Sequence, residues 1–259
     1  MNQMMLDRIR QLRLMDDDFM TKVFENDKTC TEIMLWIILD RRDIEVISVQ
    51  TQKTINSIEG HSVRLDIVAK DSTGRIFNVE IQRRDRSNEK HRARYYCSVL
   101  DTSCLGKGQD YDRLPDVYVI FIMEKDIFGY GDPVYRVEKT LNGKYPYDDG
   151  RHIIFVNGAT DADTSIGALM HDFRCTDPSE MKIPELQTRV KYFKESAEGV
   201  NAMCKLLEDM CDEIEVRTRV SDWINAAKNL MTSLTIDKTA AARLLMIPAE
   251  YRDTVLAAL

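Results

Sequence analysis

Two carboxylates and an amide recur at short spacing in the stretch RLDIVAKDSTGRIFNVEIQRR, Arg64 to Arg84. They are Asp66, Glu80 and Gln82. Residues two apart on a strand share a face, so Arg64, Asp66, Val68 and Lys70 form one set, and Ile76, Asn78, Glu80 and Gln82 another. DSTG between the two runs is a turn signal. If Lys70 pairs with Ile76, Asp66 falls opposite Glu80, with Cβ atoms about 4.5–5.5 Å apart. Two ionised carboxylates at that separation repel, and a divalent cation reconciles them. Mg²⁺ takes hard oxygen ligands, usually one or two carboxylates, with water and a substrate phosphate completing its shell. The competing reading is a polar hairpin face that meets water, with Asp66 paired to Arg64 or Lys70. A one-residue slip in register would separate the carboxylates altogether.

The next segment is basic. QRRDRSNEKHRARYY carries Arg83, Arg84, Arg86, Lys90, Arg92 and Arg94, with His91 among them, in a chain of net charge −7. A metal-binding pair beside positive side chains suits phosphodiester chemistry, with the cation at the scissile phosphate and the basic groups along the flanking backbone. Such a run is also often a solvated helix face. Of Tyr95 and Tyr96, one is expected to enter the core and the other a groove.

Several elements must position these residues. Residues 27–40 read as a helix capped by Thr29 or Thr31, with a wide apolar surface. IEVISVQT (44–51) alternates and reads as a strand. The opening stretch gives strands at about 62–70 and 75–82, and 87–105 reads as a helix with Ser87 as cap. DVYVIFIME (116–124) is apolar on both faces, as in an interior strand. Gly129 to Gly150 is turn-rich, and HIIFVNG (152–158) is a further buried strand. A meander followed by a helical crossover implies a mixed sheet flanked by helices, an α/β core over residues 1–160. Residues 161–259 read as a helical C-terminal region packed on or extending it. Asp237 is placed to cap one of its last helices and Pro248 to open another. These two short helices form a packed hairpin or a helix-turn-helix.

Composition sets further bounds. The chain has 259 residues, 44% apolar and 31% charged, as for a soluble globular protein with a proper core. No apolar run reaches the ~18–20 residues that span a bilayer, and the N-terminus lacks the apolar core of a signal peptide. The expected location is the cytoplasm, without membrane partners. An acidic balance argues against a general nucleic-acid coat but not against a local basic groove. The six cysteines form no CxxC and read as small buried apolar residues.

In the order FENDKTCTEIMLWIIL, LDIVAKDSTGRIFNVEIQ, RARYYCSVLD, GQDYDRLPDVYVIFIMEKDIF and MHDFRCTDPSEMKIPELQTRVKYFKESAEGVNAMC, the chain resembles the PD-(D/E)XK nuclease family transposases, a group related to the recombination-promoting nucleases, over about residues 16–215. Asp66 and Glu80-Ile81-Gln82 correspond to the D…ExK/Q signature. The resemblance implies a restriction-endonuclease-like fold and a metal-dependent DNA endonuclease using Mg²⁺, with Mn²⁺ as substitute. Asp66 and Glu80 would be metal ligands, joined by the carbonyl of Ile81. Gln82 stands where most of the superfamily has lysine, and many members of this group also carry glutamine. Lysine stabilises a nascent hydroxide by charge, whereas glutamine only orients water by hydrogen bonds, so more of the activation falls to the metal. Arg84 shares the face of Gln82 and is a source of positive charge. Superfamily members often carry an acid on the first helix, for which Glu32 is the candidate, with Asp27 behind it. Arg83, Arg84, Arg92 and Arg94 would grip phosphates without reading sequence. His61 is read as structural. A homodimer would suit a double-strand cut. The alternative is a catalytically impaired nuclease fold that binds DNA or a protein.

Overall fold

A computed structural model describes residues 3–56, 61–83 and 88–259. The helices are α1 (Gln3–Gln11), α2 (Asp17–Phe24), α3 (Lys28–Leu39), α4 (Glu89–Cys104), α5 (Ser165–Arg174), α6 (Pro184–Glu195), α7 (Ala197–Leu234), α8 (Lys238–Leu244) and α9 (Ala249–Ala258). The strands are β1 (Val46–Ile55), β2 (Val63–Asp71), β3 (Ile76–Gln82), β4 (Val117–Met123), β5 (Val134–Val137), β6 (Thr140–Leu141), β7 (Tyr145–Pro146) and β8 (Arg151–Asn157). Six strands form one mixed sheet in the order β1-β2-β3-β4-β8-β5. The hairpin side is antiparallel, β3, β4 and β8 run parallel, and β5 returns antiparallel to β8. The expected α/β core is therefore present.

The parallel centre follows from the sequence. VYVIFIM is buried at every position of β4, because helices cover both faces of a parallel sheet. One face carries Val68, Val119, Phe121, Met123 and Phe155, which pack against Ala93, Tyr96, Cys97 and Leu100 of α4. Phe121 is the pivot of this layer, stacked 6.0 Å from Tyr96 and 5.7 Å from Phe155.

The β2–β3 turn is built around a buried acid. Asp71 Oδ1 accepts from the Thr73 and Arg75 amides, while its Oδ2 receives Arg75 Nε at 2.6 Å. Gly74 takes φ +94°, a conformation that favours glycine. The expected pairing of Lys70 with Ile76 is observed.

Other expectations are adjusted. Asp27 caps α3, accepting from the Cys30 amide at 2.8 Å, in place of Thr29 or Thr31. Ser87 lies outside the described residues. The turn-rich Gly129–Gly150 segment contains the edge strand β5 and the small β6–β7 pair. Of the cysteines only Cys30 and Cys97 are buried, and Cys211 is exposed. The chain forms two compact units, Met1–Met203 and Cys204–Leu259. The expected boundary at 160/161 thus falls inside the first, which includes α5 and α6. In the second unit, α8 and α9 share a small core of Ala242, Ile247 and Val255, and Asp237 caps α8 through the Ala240 amide. No helix among the described residues is long and apolar enough to cross a membrane.

Candidate active site

The hairpin ladder runs from Lys70↔Ile76 to Ile67↔Val79 and stops there. Asp66 and Glu80 occupy the next rung. Val63, Leu65 and Val68 all join the core beneath α4, although regular alternation would put residues 65 and 68 on opposite faces. The alternation of β2 thus slips at Asp66, and β2 begins to part from β3. Two side chain–backbone bonds bridge the fork. The Asp66 amide donates to Glu80 Oε1 at 3.2 Å, and the Ile81 amide donates to Asp66 Oδ2 at 2.9 Å. The pair sits at the C-terminal end of β3, the end of a parallel sheet where ligands bind in open α/β folds.

Glu80 is 1% exposed and Asp66 is half-buried. Burial pushes the Glu80 carboxyl well above its ordinary range, and the charge of Asp66 pushes it further. Burial also raises Asp66, with the Ile81 amide opposing the shift and the Asp17 charge adding to it. The cause common to both is burial, which disfavours the charged form in a low-dielectric site. One rung behind Glu80, Asn78 is fully buried, and its amide has no hydrogen-bond partner among the described residues. It lies near enough to favour the ionised form of Glu80, though too loosely placed for a proper hydrogen bond.

The nearest cation comes from α4. Arg92 Nη1 donates to Gln82 Oε1 at 2.7 Å, and Nη2 reaches Tyr96 Oη at 3.0 Å and Glu80 Oε2 at 3.4 Å. Gln82 Nε2 in turn donates to the Ile81 carbonyl at 3.0 Å. Arg92 thus points into the site and not outward to a nucleic-acid backbone. Arg83 is 53% exposed but engaged with Asp16 at 2.7 Å and Glu124 at 3.8 Å. Arg94 is exposed and makes no ion pair among the described residues. Arg84 lies outside the described residues. Tyr96 enters the core, and Tyr95 is exposed, its hydroxyl donating to the His61 carbonyl.

Residues 18–142 match the family model for PD-(D/E)XK nuclease family transposases. Over those residues, just under half of the chain, it is similar to that family. No curated protein and no solved structure matches the chain. The mixed sheet flanked by helices agrees with the restriction-endonuclease-like fold of PD-(D/E)XK proteins, and the match contains Asp66, Glu80, Ile81 and Gln82.

The family generally uses divalent metal ions, and the donor set fits one. Asp66, Glu80 and the Ile81 carbonyl offer hard oxygens. No cluster of three or more His, Cys, Asp or Glu residues poised for a metal occurs among the described residues. The protein would therefore supply two carboxylates and a carbonyl and leave the remaining positions to water and substrate, as Mg²⁺ prefers.

Glu32 does not join Asp66 and Glu80. Its Oε2 accepts from the Val46 amide at 2.7 Å, and Val46 pairs with Asp71, at the far end of β2 from Asp66. Asp27 is occupied with its cap and with Arg189 at 3.2 Å. The acid on an early helix that does influence Asp66 is Asp17 of α2, which the sequence reading missed. Gln52 holds it at 2.7 Å, with a left-handed backbone at φ 51°. Elsewhere, a cleft of about 630 Å³ lies beside the starts of β4 and β8, lined by Arg41, Tyr118, Arg136, Lys139 and His152. It lacks a buried acid pair such as the one at the hairpin fork.

Proposed function

We propose that this protein is a divalent-metal-dependent endonuclease that hydrolyses DNA phosphodiester bonds, in a recombination or mobile-element setting. The observation that carries the reading is the interlocked pair Asp66–Glu80 where β2 parts from β3, within the segment matched by a nuclease family. Asp66 and Glu80 hold the cation, and the Ile81 carbonyl adds a third oxygen. Bound Mg²⁺ or Mn²⁺ supplies Lewis acidity toward the phosphate and its attacking water. Gln82 offers N–H groups to an oxygen of water or phosphate. Arg94, exposed and free of ion pairs among the described residues, would contact the DNA backbone, and Arg83 would join it by exchanging its carboxylate partners for phosphate. Hydrolysis is favoured over strand joining because no further acid completes a three-carboxylate set among the described residues.

Plasmid nicking with purified protein tests this. Asp66→Ala and Glu80→Ala are each expected to lower Mg²⁺- or Mn²⁺-dependent cutting by at least ~10³-fold, and EDTA to abolish it. Cutting that persists in both variants would sink the proposal. A second reading, a DNA-binding module without activity, draws on Arg92 already neutralising part of the Glu80 charge. It gains if wild type never cuts while DNA binding survives both substitutions.

A further inference from the structure

The Gln82 amide has two chemically different ends, and its surroundings fix which faces which. Arg92 Nη1 lies 2.7 Å from one end, and the Ile81 carbonyl lies 3.0 Å from the other. A guanidinium has five N–H donors and no acceptor, so only the amide oxygen can face it. A carbonyl oxygen only accepts, so only the amide nitrogen can face that. Both constraints select one orientation, the kind of network from which amide flips are assigned.

Arg92 is itself held from several sides. It is one helical turn before Tyr96 on α4 and donates to that hydroxyl at 3.0 Å. Its guanidinium lies 5.4 Å from the Tyr96 ring centroid and 5.3 Å from that of Phe121, within cation–π range. The side chain is 19% exposed and reaches Glu80 Oε2 at 3.4 Å. An arginine so enclosed is committed to the site and not to a passing phosphate.

Resting on the nuclease reading, we propose that Arg92 is a positioning residue that makes Gln82 present its N–H₂ end to the Ile81–Glu80 side of the site, while itself carrying the fixed positive charge that glutamine lacks. A lysine at position 82 would combine both tasks in one ammonium. Here they are divided between β3 and α4. Gln82 then acts as a donor toward an oxygen of water or phosphate and takes no proton from it, and Arg92 supplies the positive charge.

The test uses the full chain with Mn²⁺ as probe, read by calorimetry, plasmid nicking and thermal unfolding. Glutamine at position 92 both donates and accepts, so Arg92→Gln releases the constraint on Gln82. We expect its kcat to fall about 100-fold, as for loss of a preorganised donor, with KM for DNA within about threefold. Its Mn²⁺ affinity should tighten by about tenfold once a cation beside Glu80 is gone. Arg92→Lys keeps a donor-only partner and should stay within about tenfold of wild type. Gln82→Lys alone sets two cations together and should also lose activity. Added to Arg92→Gln, it should recover about tenfold over Arg92→Gln alone.

An increase in KM at unchanged kcat would overturn the proposal, making Arg92 a phosphate contact. So would a double variant no better than Arg92→Gln, or lowered thermal stability in both Arg92 variants with Mn²⁺ affinity unchanged. If wild type binds Mn²⁺ through Glu80 yet cuts nothing, the nuclease reading falls while the Mn²⁺ comparison still decides: tightening in Arg92→Gln supports the placement of Arg92, and unchanged affinity overturns it. Absence of Glu80-dependent Mn²⁺ binding in every variant overturns both.

Discussion

Glu80→Gln is expected to yield a protein that no longer cuts DNA and yet, free of metal, is more stable than wild type at pH 8. The gain should be about 1–2 kcal/mol and should shrink toward zero at pH 5. Glu80 and Asp66 both have carboxyls raised by burial above their ordinary values of 4.5 and 3.8. A raised carboxyl binds its proton more tightly in the folded state than in the unfolded chain. The folded protein is thus favoured at low pH and loses stability as pH climbs above those ordinary values and the shared site is forced to ionise. The amide isostere keeps the shape of Glu80, remains neutral, and avoids this loss. Cutting should fall by at least ~10³-fold, since an amide oxygen is a poor substitute for a ligating carboxylate. Denaturant unfolding of both proteins at pH 5, 6, 7 and 8 in EDTA measures the difference. An equal or lower stability of the variant at pH 8 would mean that Arg92 already compensates the charge in full.

Asp71→Ala is expected to cost about 3–5 kcal/mol, the usual consequence of removing one member of a buried ion pair. Asp71 is fully buried, and its carboxylate takes the Thr73 amide, the Thr73 hydroxyl, the Arg75 amide and Arg75 Nε. Arg75 is itself only 11% exposed and would keep Asp43, at 3.0 Å, as its remaining carboxylate. The same turn sets Lys70 against Ile76, so the variant should also bind Mn²⁺ more weakly, by loosening a register and not by removing a ligand. Asp71→Asn retains an acceptor for the turn amides and should recover part of the loss. Chemical denaturation of the three proteins decides it, and a cost under about 1 kcal/mol would show that the turn holds its register without this acid.

The hairpin, its register, α4 and the buried central strands were legible because each is a local pattern. Alternation, a DSTG turn and an unbroken apolar run belong to short stretches of chain. Less visible was the fate of long polar side chains. Arg92 and Arg94 are two apart on a basic helix, yet one turns inward to Gln82 and the other stays in solvent. Spacing from Ala93 and Tyr96, both buried, puts Arg92 on the margin of the apolar face, and its long stem does the rest. The family resemblance points to Glu32 as the acid on the first helix, but its carboxylate is spent on a backbone amide at the start of β1. Only tertiary packing reveals such a donor. β5 was hidden because Val134–Val137 is four residues long and sits among turn-forming glycines. Asn78 shares the Glu80 face in the strand pattern, but its unpartnered burial arises only once β2 is paired and Val68 lies across from it.

The fork between β2 and β3 has one more consequence. Its closing bonds are made by the same carboxylates assigned to ligand binding, so the Ile81 and Asp66 amides are sheltered from solvent exchange by side chains that have other work to do. Whatever draws those carboxylates away changes the protection of two backbone positions at once. Occupancy of the site is therefore written into the isotope-exchange behaviour of its own strands, as a local record that needs no readout of activity.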